Sequence, residues 1–256
     1  MKIVETKFKD TVAIILAAGV SKRMKTGMPK VLREVCGRPM LAYVLDACRK
    51  AGVKKILVVI GFGADKVRQT FADASDVTWV LQAEQKGTGH AVLCCKENLK
   101  DFNGKTFVLC GDGPLIRPVV LKELLEKHNS QTAATLATAI LDDPTGYGRI
   151  ARDKQGNLER IVEDKDCNDE QLMIKEVNPS YYLFNNKILF DSLAKVKNDN
   201  VQGEFYLTDV FEIMIKQGRK VAVVPAVRQE EAMSVNTKEE LERLNEIMRE
   251  RIAYSR

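Results

Sequence analysis

The stretch Val12-Ala-Ile-Ile-Leu-Ala-Ala-Gly-Val-Ser-Lys-Arg-Met24, with Pro29-Lys30 soon after, decides how this chain is read. Val12–Leu16 is an unbroken aliphatic run, as expected of a strand buried on both faces. Small residues follow, then a loop from Ala18 to Lys30 that carries Arg23 and Lys30. Small side chains let the backbone approach a ligand and turn its N–H groups toward phosphates. Two fixed cations in such a loop suit a group that develops and releases negative charge. Taken alone, the loop reads equally well as a tight turn with solvated basic residues. It is not a Walker A loop, because no Gly-Lys-Ser/Thr closes it. It is not a dinucleotide fingerprint, because Gly19 is its only glycine before Gly27.

Outward from this stretch, the first half alternates short apolar runs with longer amphipathic ones. Pro39–Ala51 spaces Met40, Val44, Leu45, Ala47 and Cys48 as a helix does, with Gly52 just past its end. Lys55–Ile60, Val77–Gln82 and Thr106–Cys110 read as strands; Ala64–Ala72, Thr88–Leu99 and Val119–His128 read as helices. This rhythm predicts an α/β fold: a Rossmann-like, mostly parallel sheet with helices on both faces. Ligands of such sheets lie at the carboxyl ends of the strands, which points to the loops after Leu16, Ile60, Gln82 and Cys110. In the second half, Ala133–Ile140 is a strand rich in Thr and Ala. Gly148–Arg152 and Leu158–Val162 form a hairpin about the polar stretch Asp153–Asn157. Lys175–Phe184 and Lys220–Val224 read as strands, Leu207–Lys216 and Lys238–Arg251 as helices. This half is expected to extend the same sheet and to lay a smaller lid of strands across its ligand edge.

The chain has 256 residues, enough for one large domain with a full core. Its 45% hydrophobic and 29% charged residues exclude disorder and fibrous classes. A net charge of +5 does not demand nucleic acid but suits a small anion. Six cysteines without a CxxC pair read as reduced thiols, and with only two histidines, His90 and His128, a His-built zinc site is not expected. The start lacks the apolar core of a signal peptide, and Val12–Ala18 falls far short of the ~20 residues of a membrane span. The expectation is a cytoplasmic protein.

Two further loops carry glycine pairs, Gly61-Phe-Gly63 and Gly87-Thr-Gly89, which by themselves read as turns. Gln82-Ala-Glu-Gln85 precedes the second. Its amides could read the edge of a pyrimidine or simply cap the helix that follows. Asp112, at the end of a buried strand, suits a hard cation or a turn before Pro114.

AAGVSKRM with PK, QAEQKGTGHAV, CGDGPL, GYGRI, IVEDKD, KEVN and QGEFYLTD occur in this order along the chain. Together they resemble the uridylyltransferase domain of the bifunctional bacterial enzymes that make UDP-N-acetylglucosamine, within the sugar nucleotidyltransferase family. The resemblance runs from about Val12 to Asn236. It implies one nucleotidyltransferase domain: a nucleotide-binding half over about 12–130, a sugar-binding half over about 131–236 and a C-terminal helix over about 238–252. The implied reaction transfers a uridylyl group from UTP to a sugar 1-phosphate, N-acetylglucosamine 1-phosphate foremost, with Mg2+ as cofactor. By the same resemblance, Leu16, Ala17 and Gly19 lie along the nucleotide. Arg23 and Lys30 stabilise the triphosphate and the leaving pyrophosphate. Gln82, Gly87 and Thr88 recognise uracil. Asp112 and Asn236 hold magnesium, and Gly148, Glu163 and Asn178 hold the sugar. Taken singly, Glu163 would read as a surface ion-pair partner of Lys165, and Asn236 as a turn residue before a helix.

The chain departs from the pattern in three places. The bifunctional enzymes continue into a left-handed β-helix of hexapeptide repeats that acetylates glucosamine 1-phosphate. No such repeat occurs here, so acetyl transfer is not expected of this chain. Asn178 is followed by Pro179-Ser180 where the family has Thr-Gly, and then by Tyr181 and Tyr182. Pro179 fixes its own φ and restricts Asn178 to extended conformations, which leaves the sugar open. Gly113 stands where the family has Val.

The partners expected are UTP and a sugar 1-phosphate, with neither nucleic acid nor membrane; association with further copies of the chain stays open. The rivals are a relative using another sugar or an alcohol phosphate, and a non-catalytic nucleotide-sugar sensor on the same fold. Arg23, Lys30, Asp112 and Asn236 together argue against the sensor, since binding alone would not need all of them.

Overall fold

The structure is a computed structural model that describes residues 8, 10–19, 27–233, 235 and 237–254. Its strands are β1 (Thr11–Ala17), β2 (Glu34–Val35), β3 (Arg38–Pro39), β4 (Lys55–Ile60), β5 (Val77–Leu81), β6 (Lys105–Cys110), β7 (Thr132–Ala137), β8 (Ala139–Ile140), β9 (Gly148–Arg152), β10 (Leu158–Val162), β11 (Glu176–Asn178), β12 (Tyr181–Asn185) and β13 (Lys220–Val224). The α-helices are α1 (Met40–Ala51), α2 (Ala64–Thr70), α3 (Thr88–Leu93), α4 (Pro118–Lys127), α5 (Asp169–Leu172), α6 (Asn186–Leu193), α7 (Asp209–Lys216) and α8 (Lys238–Ala253).

The main sheet has seven strands in the order β13-β7-β12-β6-β1-β4-β5. β1 pairs in parallel with β4 and β6, and β4 in parallel with β5. β12 enters antiparallel between β6 and β7, and β13 lies parallel to β7. β1 supplies the reason for its central place. Ala13, Ile15 and Ala17 face one core, with α1, α2 and α4, while Val12 and Ile14 face the other, with α3, α6 and α7. A strand covered on both faces must be apolar throughout, as Val12–Leu16 is. Among the described residues, no helix is long and apolar enough to cross a membrane.

β8, β11, β9 and β10 form a separate four-stranded antiparallel sheet. It grows from the carboxyl edge of the main sheet. β7 runs out into β8, and β11 feeds β12, whose first residue Tyr181 pairs with Leu109 near the carboxyl end of β6. The expected lid is therefore this small sheet.

Two expected strands prove to be two each. Ala133–Ile140 breaks at Thr138, whose N–H donates to Val224 O at 2.8 Å and whose hydroxyl donates to Glu176 at 2.8 Å. Lys175–Phe184 breaks at Pro179-Ser180, where Ser180 takes φ +64°. In both cases the chain leaves one sheet for the other within one or two residues. The expected helix Thr88–Leu99 is α3 followed by turns and a short 3-10 segment, Glu97–Leu99. α5, α6 and the β2–β3 hairpin have no counterpart in the sequence reading.

Candidate active site

The carboxyl ends of β1 and β6 lie side by side, tied by Gly111 N–H donating to Leu16 O at 2.9 Å. Leu16 is half-buried, Ala17 buried and Gly19 exposed, so the chain emerges from the core here with small residues at its surface. The neighbouring loop after β4 closes on the same place: Phe62 N–H donates to Ala18 O at 3.3 Å, and a Cβ at Gly61 would press on Ala18 and on the Gln85 amide. Gly61 thus serves a close approach as well as a turn.

Lys30 begins a single 3-10 turn anchored by buried Val31 and Leu32. Its ammonium pairs with Oδ2 of Asp112, just past β6, and the Cys110 thiol donates to Oδ1 of the same carboxylate. Burial opposes the Asp112 charge, but Lys30 and the thiol donor outweigh it and hold the carboxyl below its usual range. Burial likewise opposes the Lys30 ammonium, and Asp112 outweighs it, lifting Lys30 above its usual range. Cys110 itself is pushed far up by burial and by Asp112, so it stays a protonated donor. An ionised carboxylate and a fixed cation therefore stand together at the ligand edge. Arg23 and Asn236 lie outside the described residues. Among the described residues, no group of three or more His, Cys, Asp or Glu could hold a metal by itself.

Gln82 follows β5 and is buried, at 3% exposure. Its Nε2 donates to Gly87 O at 3.1 Å and lies 3.0 Å from His90 Nδ1, while Gln85 Nε2 donates to Gln82 O. Gly87 has φ +109°, and a Cβ there would overlap the backbone of Phe205. This close approach makes a short main-chain ladder: Phe205 N–H to Lys86 O and Gly89 N–H to Phe205 O, both 2.8 Å. Thr88 Oγ1 accepts from Leu207 N–H at 3.0 Å, which leaves the hydroxyl proton to give. The segment Glu204–Asp209 is thus the wall against which the Gln82–Thr88 loop is built.

The three residues assigned to the sugar also meet. Gly148 and Asn178 are register partners across β9 and β11. A Cβ on Gly148 would lie 3.6 Å from Asn178 Cβ and 3.6 Å from Glu163 Oε2. Asn178 Nδ2 donates to Tyr182 Oη at 2.7 Å, and its Oδ1 accepts from Ser180 N–H at 3.0 Å. Glu163 does not pair with Lys165, which instead reaches Gln202. Its Oε1 accepts from Thr208 Oγ1 at 2.8 Å. Burial pushes the Glu163 carboxyl up; Thr208 opposes this, and Asp209, Asp166 and Asp164 add to it. Asp209 is itself pushed up to about 6, by burial first and by Glu212 and Asp166. The sequence reading missed Cys110 and Thr208 as partners of the site, and it flagged Tyr182 beside the sugar residues without its bond to Asn178. Thr208 lay within the QGEFYLTD stretch, so the signal was present without its role.

The MobA-like NTP transferase domain matches residues 13–231. The bifunctional protein GlmU of Clostridium botulinum is 48% identical over 243 residues, covering 94% of this chain and 53% of that protein. The bifunctional protein GlmU of a Geobacillus species is 45% identical over 241 residues, covering 94% and 52%. The chain therefore spans about half the length of these curated relatives. A solved UDP-glucose pyrophosphorylase in complex with UDP-glucose is 17% identical. It shares the fold with a TM-score of 0.72 over 94% of this chain and 99% of that one.

Proposed function

This chain belongs to the MobA-like NTP transferase family, and from that premise we propose that it transfers the uridylyl group of UTP to N-acetylglucosamine 1-phosphate. The products are the UDP-sugar and pyrophosphate. The observation that carries the reading is that the Lys30–Asp112 pair and the Gln82–Thr88 loop follow strands of the main sheet, while one segment, Glu204–Asp209, bonds both to that loop and to Glu163 beside Gly148 and Asn178. The relatives named GlmU, at 45–48% identity, favour this substrate pair.

A phosphate oxygen of the sugar 1-phosphate attacks the α-phosphorus of UTP in line. A new P–O bond forms as the bond to the β-phosphate oxygen breaks. No side-chain nucleophile is required, so the protein acts by alignment and charge stabilisation. Lys30, with Arg23 in the same loop, neutralises charge on the triphosphate and the departing pyrophosphate. Gln82, Gly87 and Thr88 hold uracil; Gly148, Glu163 and Asn178 hold the sugar.

The residues present fit a magnesium ion. Asp112 is held ionised at the strand end, and Mg2+ commonly takes one or two carboxylates and completes its shell with phosphates and water. Asp112 would hold it, with Asn236 as second ligand, and the ion would supply neutralisation of the triphosphate charge. The six free cysteines accord with a reducing cytoplasm.

The test is a matrix of nucleoside triphosphates against sugar 1-phosphates, scored by pyrophosphate release with magnesium present. UTP is expected to serve best, dTTP or CTP weakly and ATP hardly at all. Equal use of ATP would overturn the reading of the Gln82–Thr88 loop. The Pro179-Ser180 pair beside Asn178 leaves the sugar open, so glucose 1-phosphate serves as the comparison acceptor. Absence of pyrophosphate release with every hexose 1-phosphate would favour the sensor or a different alcohol phosphate as acceptor.

A further inference from the structure

The segment Glu204–Asp209 touches both halves of the candidate site. Phe205 and Leu207 bond to the Gln82–Thr88 loop through the main chain and Thr88. The next residue, Thr208, is 4% exposed and turns its hydroxyl the other way, to Glu163 Oε1. α7 follows at once and is locked into the core by Val210, Phe211 and Met214. Thr208 is thus held from both sides, and its oxygen has a fixed place.

Glu163 needs such a donor. Asp209, Asp166 and Asp164 all face it and disfavour its charge. Arg149, which follows Gly148 in β9, is taken by Asp164 at 3.0 Å. Fixing Oε1 leaves Oε2 turned toward the backbone at Gly148, 3.6 Å from where a Cβ would stand.

Resting on the sugar 1-phosphate reading above, we infer that Thr208 is a positioning residue for sugar recognition, orienting the Glu163 carboxylate so that its second oxygen addresses the acceptor sugar. It touches no reacting atom. Its contribution is to the KM for the sugar phosphate, through a hydrogen bond to a buried carboxyl group that is costly to leave unmade inside the protein. The same segment seats the uracil loop by its main chain, so removal of the hydroxyl alone separates the two duties.

The experiment compares Thr208→Val, Thr208→Ala and Thr208→Ser by initial-rate kinetics with UTP and N-acetylglucosamine 1-phosphate. Val and Ala are expected to raise the KM for the sugar phosphate about 10- to 100-fold. The KM for UTP should stay within about twofold, and Ser should restore the wild-type value. An unchanged sugar KM, or equal rises for both substrates, would overturn the inference. A second readout does not depend on turnover: the Glu163 carboxyl midpoint, followed by carbon-detected NMR in the unliganded protein. It should rise when the hydroxyl is removed and return with Ser. A midpoint that does not move overturns the positioning role. If the midpoint moves as expected while the wild type turns over no hexose 1-phosphate, the substrate reading fails and the positioning of Glu163 stands.

Discussion

The Tyr181 hydroxyl donates to Gly113 O at 3.5 Å, and a Cβ built on Gly113 would overlap that hydroxyl. Tyr181 opens β12 and is 2% exposed; Gly113 follows Asp112 directly. The phenol therefore occupies the space that a side chain at position 113 would need. Gly113 departs from the sequence pattern this chain resembles, and the Tyr181 phenol fills the space beside it beneath the Asp112 loop.

Gly113→Val is accordingly expected to destabilise the protein by about 1–3 kcal/mol through overpacking against Tyr181. Adding Tyr181→Ile should relieve much of that, with a coupling of about 0.5–3 kcal/mol in a double-mutant cycle read by urea unfolding. Strictly additive losses would show that the two residues do not share the space.

The Lys30–Asp112 pair yields an activity prediction. Lys30→Met is expected to lower kcat ~100-fold or more, the scale of losing one preorganised charge-stabilising group. Asp112→Asn should depress turnover and raise the magnesium concentration needed for half-maximal rate. Full wild-type activity in excess chelator would remove the metal from the proposal.

Ser180 sits at φ +64°, in the left-handed region that costs an L-residue about 1 kcal/mol or more. Ser180→Gly should therefore stabilise the protein by about 1 kcal/mol in thermal unfolding, since the N–H bond to Asn178 Oδ1 is retained. The full change Pro179-Ser180→Thr-Gly is expected to raise kcat/KM for N-acetylglucosamine 1-phosphate relative to glucose 1-phosphate. An unchanged ratio would show that this segment does not choose the sugar.

His128 carries a pH prediction. It is buried, with Nδ1 3.0 Å from Thr135 Oγ1, and burial first, then Lys105, lowers it from 6.5 to about 4. The native state keeps it neutral where the unfolded state is protonated. Its contribution is therefore complete above about pH 6.5 and is lost as pH falls through that value toward 4. The shift corresponds to roughly 3 kcal/mol at most. Urea unfolding from pH 7 to 4 should fall more steeply for the wild type than for His128→Gln. Parallel curves would show that His128 is not the group responsible.

Much of the candidate site was legible because its chemistry is local. Val12–Leu16, the loop to Lys30, Gln82 with Gly87-Thr88, and Asp112 after a buried strand are each marked within a few residues, while their roles came from the resemblance of the ordered motifs. Their meeting follows from a single rule, that parallel strands bring their carboxyl ends to one edge. The partners that tune them were not legible. Cys110 beside Asp112, Tyr182 beside Asn178 and Thr208 beside Glu163 are ordinary residues whose roles come only from pairing.

The sequence by itself determined the elements whose apolar pattern is complete in place: the strand Lys55–Ile60, the hairpin strands Gly148–Arg152 and Leu158–Val162, and the strand Lys220–Val224. Burial on one or both faces leaves a local mark in the side chains, so such segments can be read without their neighbours. Tertiary structure alone decided that Ala133–Ile140 and Lys175–Phe184 each divide between two sheets, and that β12 runs antiparallel between β6 and β7. An extended apolar run looks the same whichever sheet receives it. Its break is set by hydrogen bonds to distant partners, as when Thr138 turns its N–H to Val224 and its hydroxyl to Glu176.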